Sequence, residues 1–188
     1  MFYRFLHKTL NSLAFIIISW NIQAQYLVGF HSEWDDSFRE WEIEAIIDSV
    51  KVVGSMDITW SLDNDFSEWN FRIENINGII KQRWNQRNDL WELRMGDQLV
   101  MIRQTWPEDP TQWTITSGKE KMSMRTVNNL FLDEWENQNK ENGDLYIYTE
   151  VQGDPRDWII EDYPLNNTSF AMRMASVFIA IYSSIPKQ

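Results

Sequence analysis

Trp91-Glu92-Leu93-Arg94-Met95-Gly96-Asp97-Gln98-Leu99-Val100-Met101-Ile102-Arg103-Gln104-Thr105-Trp106 is the stretch whose reading decides the fold. Apolar and polar residues alternate up to Gly96-Asp97, and a second strand runs from Leu99 to Trp106. This is the pattern of two half-buried strands joined by a tight turn. The unit recurs: Trp69, Trp91, Trp113, Trp135 and Trp158 stand 22, 22, 22 and 23 residues apart. Trp69-Asn70-Phe71-Arg72-Ile73-Glu74 and Trp113-Thr114-Ile115-Thr116 repeat the alternation. A period this regular marks a repeated supersecondary unit.

Each unit is one antiparallel hairpin, with Asn75-Ile76-Asn77-Gly78, Gly96-Asp97 or Ser117-Gly118-Lys119 as its turn. In each, glycine is expected to supply the positive φ. Longer loops join the hairpins: 62–67, 85–89, 107–111, 128–130 and 152–157. Because strands alternate in direction, these loops share one rim and the glycine turns the other. A longer unit from Trp41 through Gly54 to Trp60, a strand at Tyr26–Phe30 and a last one at Trp158–Glu161 bring the count to about twelve.

Closing such a meander into a barrel removes its edges. About twelve strands enclose a lumen too wide for their own side chains to fill. The segment 168–185 is expected to supply the filling, the alternatives being a helix packed on an open sheet or a tail anchor. Apart from Arg173 and small hydroxyls it is apolar all round a helical wheel, a residue among Asn167, Thr168 and Ser169 can cap it, and Pro186 stops it. At roughly 25 Å it matches the height of the barrel. The expected fold is therefore mainly β, a closed antiparallel meander around a C-terminal hydrophobic helix.

Residues 1–24 read as a signal peptide: Arg4, His7 and Lys8 precede the apolar run Leu13–Trp20, and Ala24 follows. Cleavage is expected near Ala24-Gln25, leaving residues 25–188 as one exported domain, secreted or held in the periplasm or cell envelope; the rival reading is an uncleaved amino-terminal anchor. No cysteine is present, so neither disulfides nor thiolate metal sites are available. Losing Arg4 and Lys8 takes the formal charge from −11 to −13. Such a surface repels phosphate backbones and anionic headgroups, which argues against nucleic-acid partners. The short basic groups Lys81, Arg83, Arg87 and Lys119, Lys121, Arg125 read as solvated strand faces.

Run for run, the aromatic-x-Ile hairpins and the terminal Ser169-Phe170-Ala171-Met172-Arg173-Met174-Ala175-Ser176-Val177-Phe178-Ile179-Ala180-Ile181 resemble the tubby-like superfamily. That superfamily includes tubby domains, LURP-one-related proteins and phospholipid scramblases. The resemblance implies a twelve-stranded barrel threaded by its last helix, and lipid contact. The family's basic phosphoinositide site has no counterpart in this acidic chain, so no binding residue carries over.

Catalytic motifs are scarce. His31 is the one histidine beyond the leader, and there is no Gly-rich phosphate loop, Gly-x-Ser-x-Gly elbow or His-Glu-x-x-His. No cofactor is expected. Calcium is the one metal worth testing, since Asp63, Asp65 and Glu68 offer oxygens on the rim of long loops, together with Asp89, Glu108, Asp109, Asp154 and Asp157. Asp is also an ordinary turn residue. The tryptophans in register with Phe71, Ile73, Leu93 and Ile115 read as core. Trp34, Trp84 and Trp106 are less securely inward and are the candidates for ligand contact, lipid or carbohydrate. The sequence favours a monomeric, non-catalytic binding or structural protein. The alternatives are a hydrolase using rim carboxylates and a lipocalin-like carrier, which requires an empty lumen.

Overall fold

A computed structural model describes residues 25–34, 37–60, 65–84, 87–128, 131–165 and 168–186. The proposed signal peptide, Asp63 and Asn167 lie outside them.

Twelve strands form a closed antiparallel barrel in simple chain order, with β12 returning to pair with β1. They are β1 (Gln25–Ser32), β2 (Glu40–Ile47), β3 (Val50–Trp60), β4 (Asp65–Ile73), β5 (Ile76–Gln82) and β6 (Leu90–Met95). Then follow β7 (Gln98–Gln104), β8 (Gln112–Ser117), β9 (Glu120–Thr126), β10 (Glu134–Asn137), β11 (Gly143–Thr149) and β12 (Asp157–Pro164). The helix α1 (Phe170–Ser184) fills the lumen. It packs against β1, β6, β7, β8, β9 and β11, and β1 and β7 stand on opposite sides of the closed sheet.

The 22-residue period sets the register. Trp41, Trp91, Trp113, Trp135 and Trp158 are second in β2, β6, β8, β10 and β12, Trp69 is fifth in the longer β4, and all six are at most 1% exposed. Their wall neighbours are inward residues: Trp69 pairs with Ile58 and Ile80, and Trp91 with Ile102. Burying an indole leaves its N–H in need of an acceptor. Each takes the carbonyl three residues earlier: Phe38, Phe66, Asn88, Pro110, Leu132 and Pro155, at 2.9–3.2 Å. The same contact therefore fixes the loop that precedes each tryptophan. Each indole buries roughly 150–250 Å², a gross gain of about 4–6 kcal/mol that is an upper bound because the unfolded chain already hides some area.

The helix meets this ring with aromatic contacts. Phe178 lies edge-on to Trp69 and Trp91 at 5.9 and 5.2 Å, and Tyr182 lies edge-on to Trp91 at 4.5 Å. Burial pushes the Tyr182 phenol up to about 12. Ser169 caps the helix start, its side chain accepting from the Met172 amide. At the far end the Ser184 hydroxyl donates to the Leu132 carbonyl. Arg173, the one charge on the helix, donates through Nη1 to Asp162 Oδ2 at 2.5 Å. The Leu27 amide donates to the same oxygen at 3.1 Å. Burial nonetheless holds the Asp162 carboxyl above its usual value, outweighing the guanidinium beside it.

Two turn readings are corrected. Gly78 lies inside β5, opposite Phe71, and the turn is Glu74-Asn75, where Glu74 takes the positive φ of 51°. A Cβ on Gly78 would strike the Phe71 ring and approach the Arg94 carbonyl oxygen at 2.7 Å, so close packing explains this glycine. Gly96 and Gly118 do take positive φ, 58° and 57°. The loop expected over 62–67 is also shorter, because β4 already begins at Asp65.

Candidate functional site

The long loops between hairpins share one rim, and that rim carries four water-facing indoles. Trp34, Trp60, Trp84 and Trp106 are 55–62% exposed, against at most 1% for the six of the inner ring. Trp34, Trp84 and Trp106 lie in the loops following β1, β5 and β7, and Trp60 is the last residue of β3, where the next loop begins. Phe131 and Val151 expose apolar side chains in the remaining two.

Local turn chemistry explains why Trp34, Trp84 and Trp106 escape the core. Trp84 and Trp106 have the same parity as the inward Ile80 and Ile102, but the wall ends at Gln82 and Gln104. Beyond it the chain turns. The carbonyl of Trp84 accepts from the Arg87 amide at 3.1 Å, that of Trp106 from Asp109 at 3.3 Å and that of Trp34 from Ser37 at 3.2 Å. The turn that exposes one tryptophan is thus followed, seven residues on, by the buried one: Trp34 and Trp41, Trp84 and Trp91, Trp106 and Trp113. Trp60 is a rim residue that the sequence reading did not single out. The repeated pairing of tryptophans was the signal for it, obscured because Trp60 and Trp69 lie nine residues apart.

Polar groups stand beside the indoles. Trp34 donates its indole N–H to Glu40 Oε2 at 2.8 Å. Behind it is a cleft of about 270 Å³ lined by Glu33, Arg39, Glu40, Trp41, Ser55, Met56, Asp57 and Ile58. Glu40 and Asp57 face each other across β2 and β3. Partial burial, and then the Glu40 charge, hold the Asp57 carboxyl above its usual value. Further along the rim, Gln82 donates to Asn88 at 2.7 Å, and the Thr105 and Thr114 hydroxyls are 3.1 Å apart.

The carboxylates considered for calcium are largely occupied by their own loops. Asp65 Oδ1 accepts from the Ser67 amide at 2.8 Å, and Glu68 stands opposite Lys81 in the β4–β5 register. Arg87 engages both oxygens of Asp89, Arg156 both of Asp154, and Thr111 caps Asp109. The two arginines hold the Asp89 and Asp154 carboxyls below the usual range through their hydrogen bonds. Among the described residues, no group of three or more His, Asp or Glu side chains is arranged to hold a metal ion. His31 sits on the outer wall, its Nδ1 3.1 Å from Asp157 and its Nε2 3.9 Å from Glu44.

The basic groups face water on the wall, Lys81 near Glu92 at 3.8 Å and Arg125 on Glu136 at 2.6 Å. A barrel that crosses a bilayer carries an apolar band there. Among the described residues, no helix is long and apolar enough to cross a membrane. A lipocalin-like cargo would need the space that α1 fills.

Closed barrel, filled lumen and indole-bearing rim together define the class of the molecule as a plugged antiparallel β-barrel. No protein-family model, curated protein or solved structure matches the chain.

Proposed function

We propose that this chain is an exported, non-catalytic binding protein whose tryptophan rim takes glycan. The observation that carries the reading is the set of four exposed indoles repeated on one rim. Leaving so much aromatic surface in water is costly for a monomer unless a partner covers it. Flat aromatic faces stack on sugar rings, and the carboxylate, amide and hydroxyl groups beside them suit sugar hydroxyls. A neutral glycan is also indifferent to the net charge of −13 expected for the chain without its leader, whereas an anionic membrane surface is repelled by it.

The tubby-like resemblance is kept as an architectural proposal. Its phosphoinositide activity is not carried over, because the basic site it requires has no counterpart here. Export is supported by the charged start and apolar run ahead of Ala24. Amino-terminal sequencing of the exported protein should then begin at Gln25, and a product beginning at Met1 would refute it.

A polysaccharide-binding panel run beside liposome flotation tests the function, each with and without calcium. Retention on glycan, reduced at least tenfold by Trp84→Ala or Trp106→Ala, is expected. Flotation with liposomes and no retention on any glycan would overturn the reading in favour of lipid.

A further inference from the structure

The rim is circular, and this limits what can lie along it. Six hairpins close the barrel, so each long loop advances about one sixth of the circumference. Trp34, Trp84 and Trp106 in their loops and Trp60 at the end of β3 stand at four consecutive hairpin junctions, spanning half of it. Neighbouring indoles sit two strands apart, roughly 9.5 Å along the wall, a distance close to the length of a disaccharide. The track has two ends, because Asn128 and Val151 stand where the other loops carry tryptophan.

From this arrangement we propose that the rim recognises a bent glucan chain, one whose linkage turns each ring relative to the last, with alternate sugars stacking on successive indoles. The inference rests on the glycan reading above and narrows its ligand class. A straight β-1,4 chain meets a circular track tangentially and reaches two neighbouring indoles. An α-1,4 or β-1,3 chain curves and can reach all four. Once one sugar has stacked, the others are held close to their indoles, so affinity rises with the number of contacts without any single one being tight.

The test compares chain length and linkage on the purified protein by calorimetric titration. Maltoheptaose and laminariheptaose represent bent chains, cellohexaose and chitohexaose straight ones, and maltose and laminaribiose the short controls. At least one bent oligomer should bind tenfold or more tightly than its own disaccharide and than both straight oligomers. Trp60→Ala, which interrupts the track, should remove most of that gain. Val151→Trp, which places an indole beside the Trp34 end of the track at an exposed position, should tighten the bent oligomer and leave the disaccharide unchanged. Thermal melts identify any variant that fails to fold.

Straight oligomers binding as tightly as bent ones would overturn the curved track and leave glycan binding standing. So would disaccharides that match the long chains. Absence of binding to every sugar would remove both the track and the functional reading beneath it.

Discussion

Phe178→Ala strikes the contact between plug and barrel. Phe178 is 1% exposed and touches three rings: Trp69 at 5.9 Å, Trp91 at 5.2 Å and Tyr182 at 5.6 Å. Truncating a buried phenylalanine costs about 3–5 kcal/mol, the spread depending on how far the surroundings collapse. Collapse is restricted here, because a closed hydrogen-bonded wall cannot move inward on one side alone. Each lost aromatic pair adds roughly 0.5–1.5 kcal/mol beyond buried area, so the upper end of the range, about 4–5 kcal/mol, is expected. For a domain of this size that lowers the melting temperature by roughly 8–20 °C. Urea denaturation followed by tryptophan fluorescence measures it, with Trp84→Ala as the exposed control, expected within about 0.5 kcal/mol of wild type. A loss below about 1 kcal/mol for Phe178→Ala would refute a helix packed inside the ring.

Other perturbations test separate parts of the account. Trp113→Phe removes the indole N–H that satisfies the Pro110 carbonyl. With the smaller ring it should cost about 2–3 kcal/mol by denaturant melt, from the lost bond and the cavity together. Asp162→Ala leaves Arg173 buried beside no carboxylate and should cost about 3–5 kcal/mol, whereas Asp162→Leu combined with Arg173→Met should recover most of that loss in the same assay. Asp57 has its pKa raised on folding, so the folded state holds the proton more tightly than the unfolded chain. Its contribution favours folding at low pH and is lost as pH rises through the folded value. Asp57→Asn should therefore melt higher than wild type at neutral pH, with the difference closing below pH 3.8, the usual value for this group. Gly78→Ala should destabilise by more than about 1 kcal/mol in a thermal melt, through contact with Phe71 and the Arg94 carbonyl.

The architecture was legible because period two within each strand and the tryptophan spacing between hairpins report the same register, and because a helix apolar on every face has to be enclosed. What the sequence concealed depends on where elements end or on contacts between distant residues. Trp84 and Trp106 keep the parity of the core yet lie outside it, since the wall stops two residues earlier and a turn begins. Trp60 belongs with them, but it ends β3 itself and Trp69 lies well inside the long strand β4, which breaks the seven-residue spacing. Gly78 looked like turn chemistry, although its neighbour across the sheet, Phe71, is what requires it. Arg173 stood out as the one charge on an apolar helix, while its partner Asp162 was invisible because nothing local distinguishes that carboxylate from others on the chain. Why the chain expends two tryptophans on most loops became readable only once one of each pair faced water.

The ten indole N–H groups of residues 25–188 provide the most direct test, read as ¹H–¹⁵N resonances during hydrogen exchange and then during titration with laminariheptaose or maltoheptaose. The six of Trp41, Trp69, Trp91, Trp113, Trp135 and Trp158 should exchange slowly and stay in place, while those of Trp34, Trp60, Trp84 and Trp106 exchange fast and shift as sugar is added. Rapid exchange among the six would contradict the plugged barrel. Four rim resonances unmoved by either sugar would contradict the binding rim.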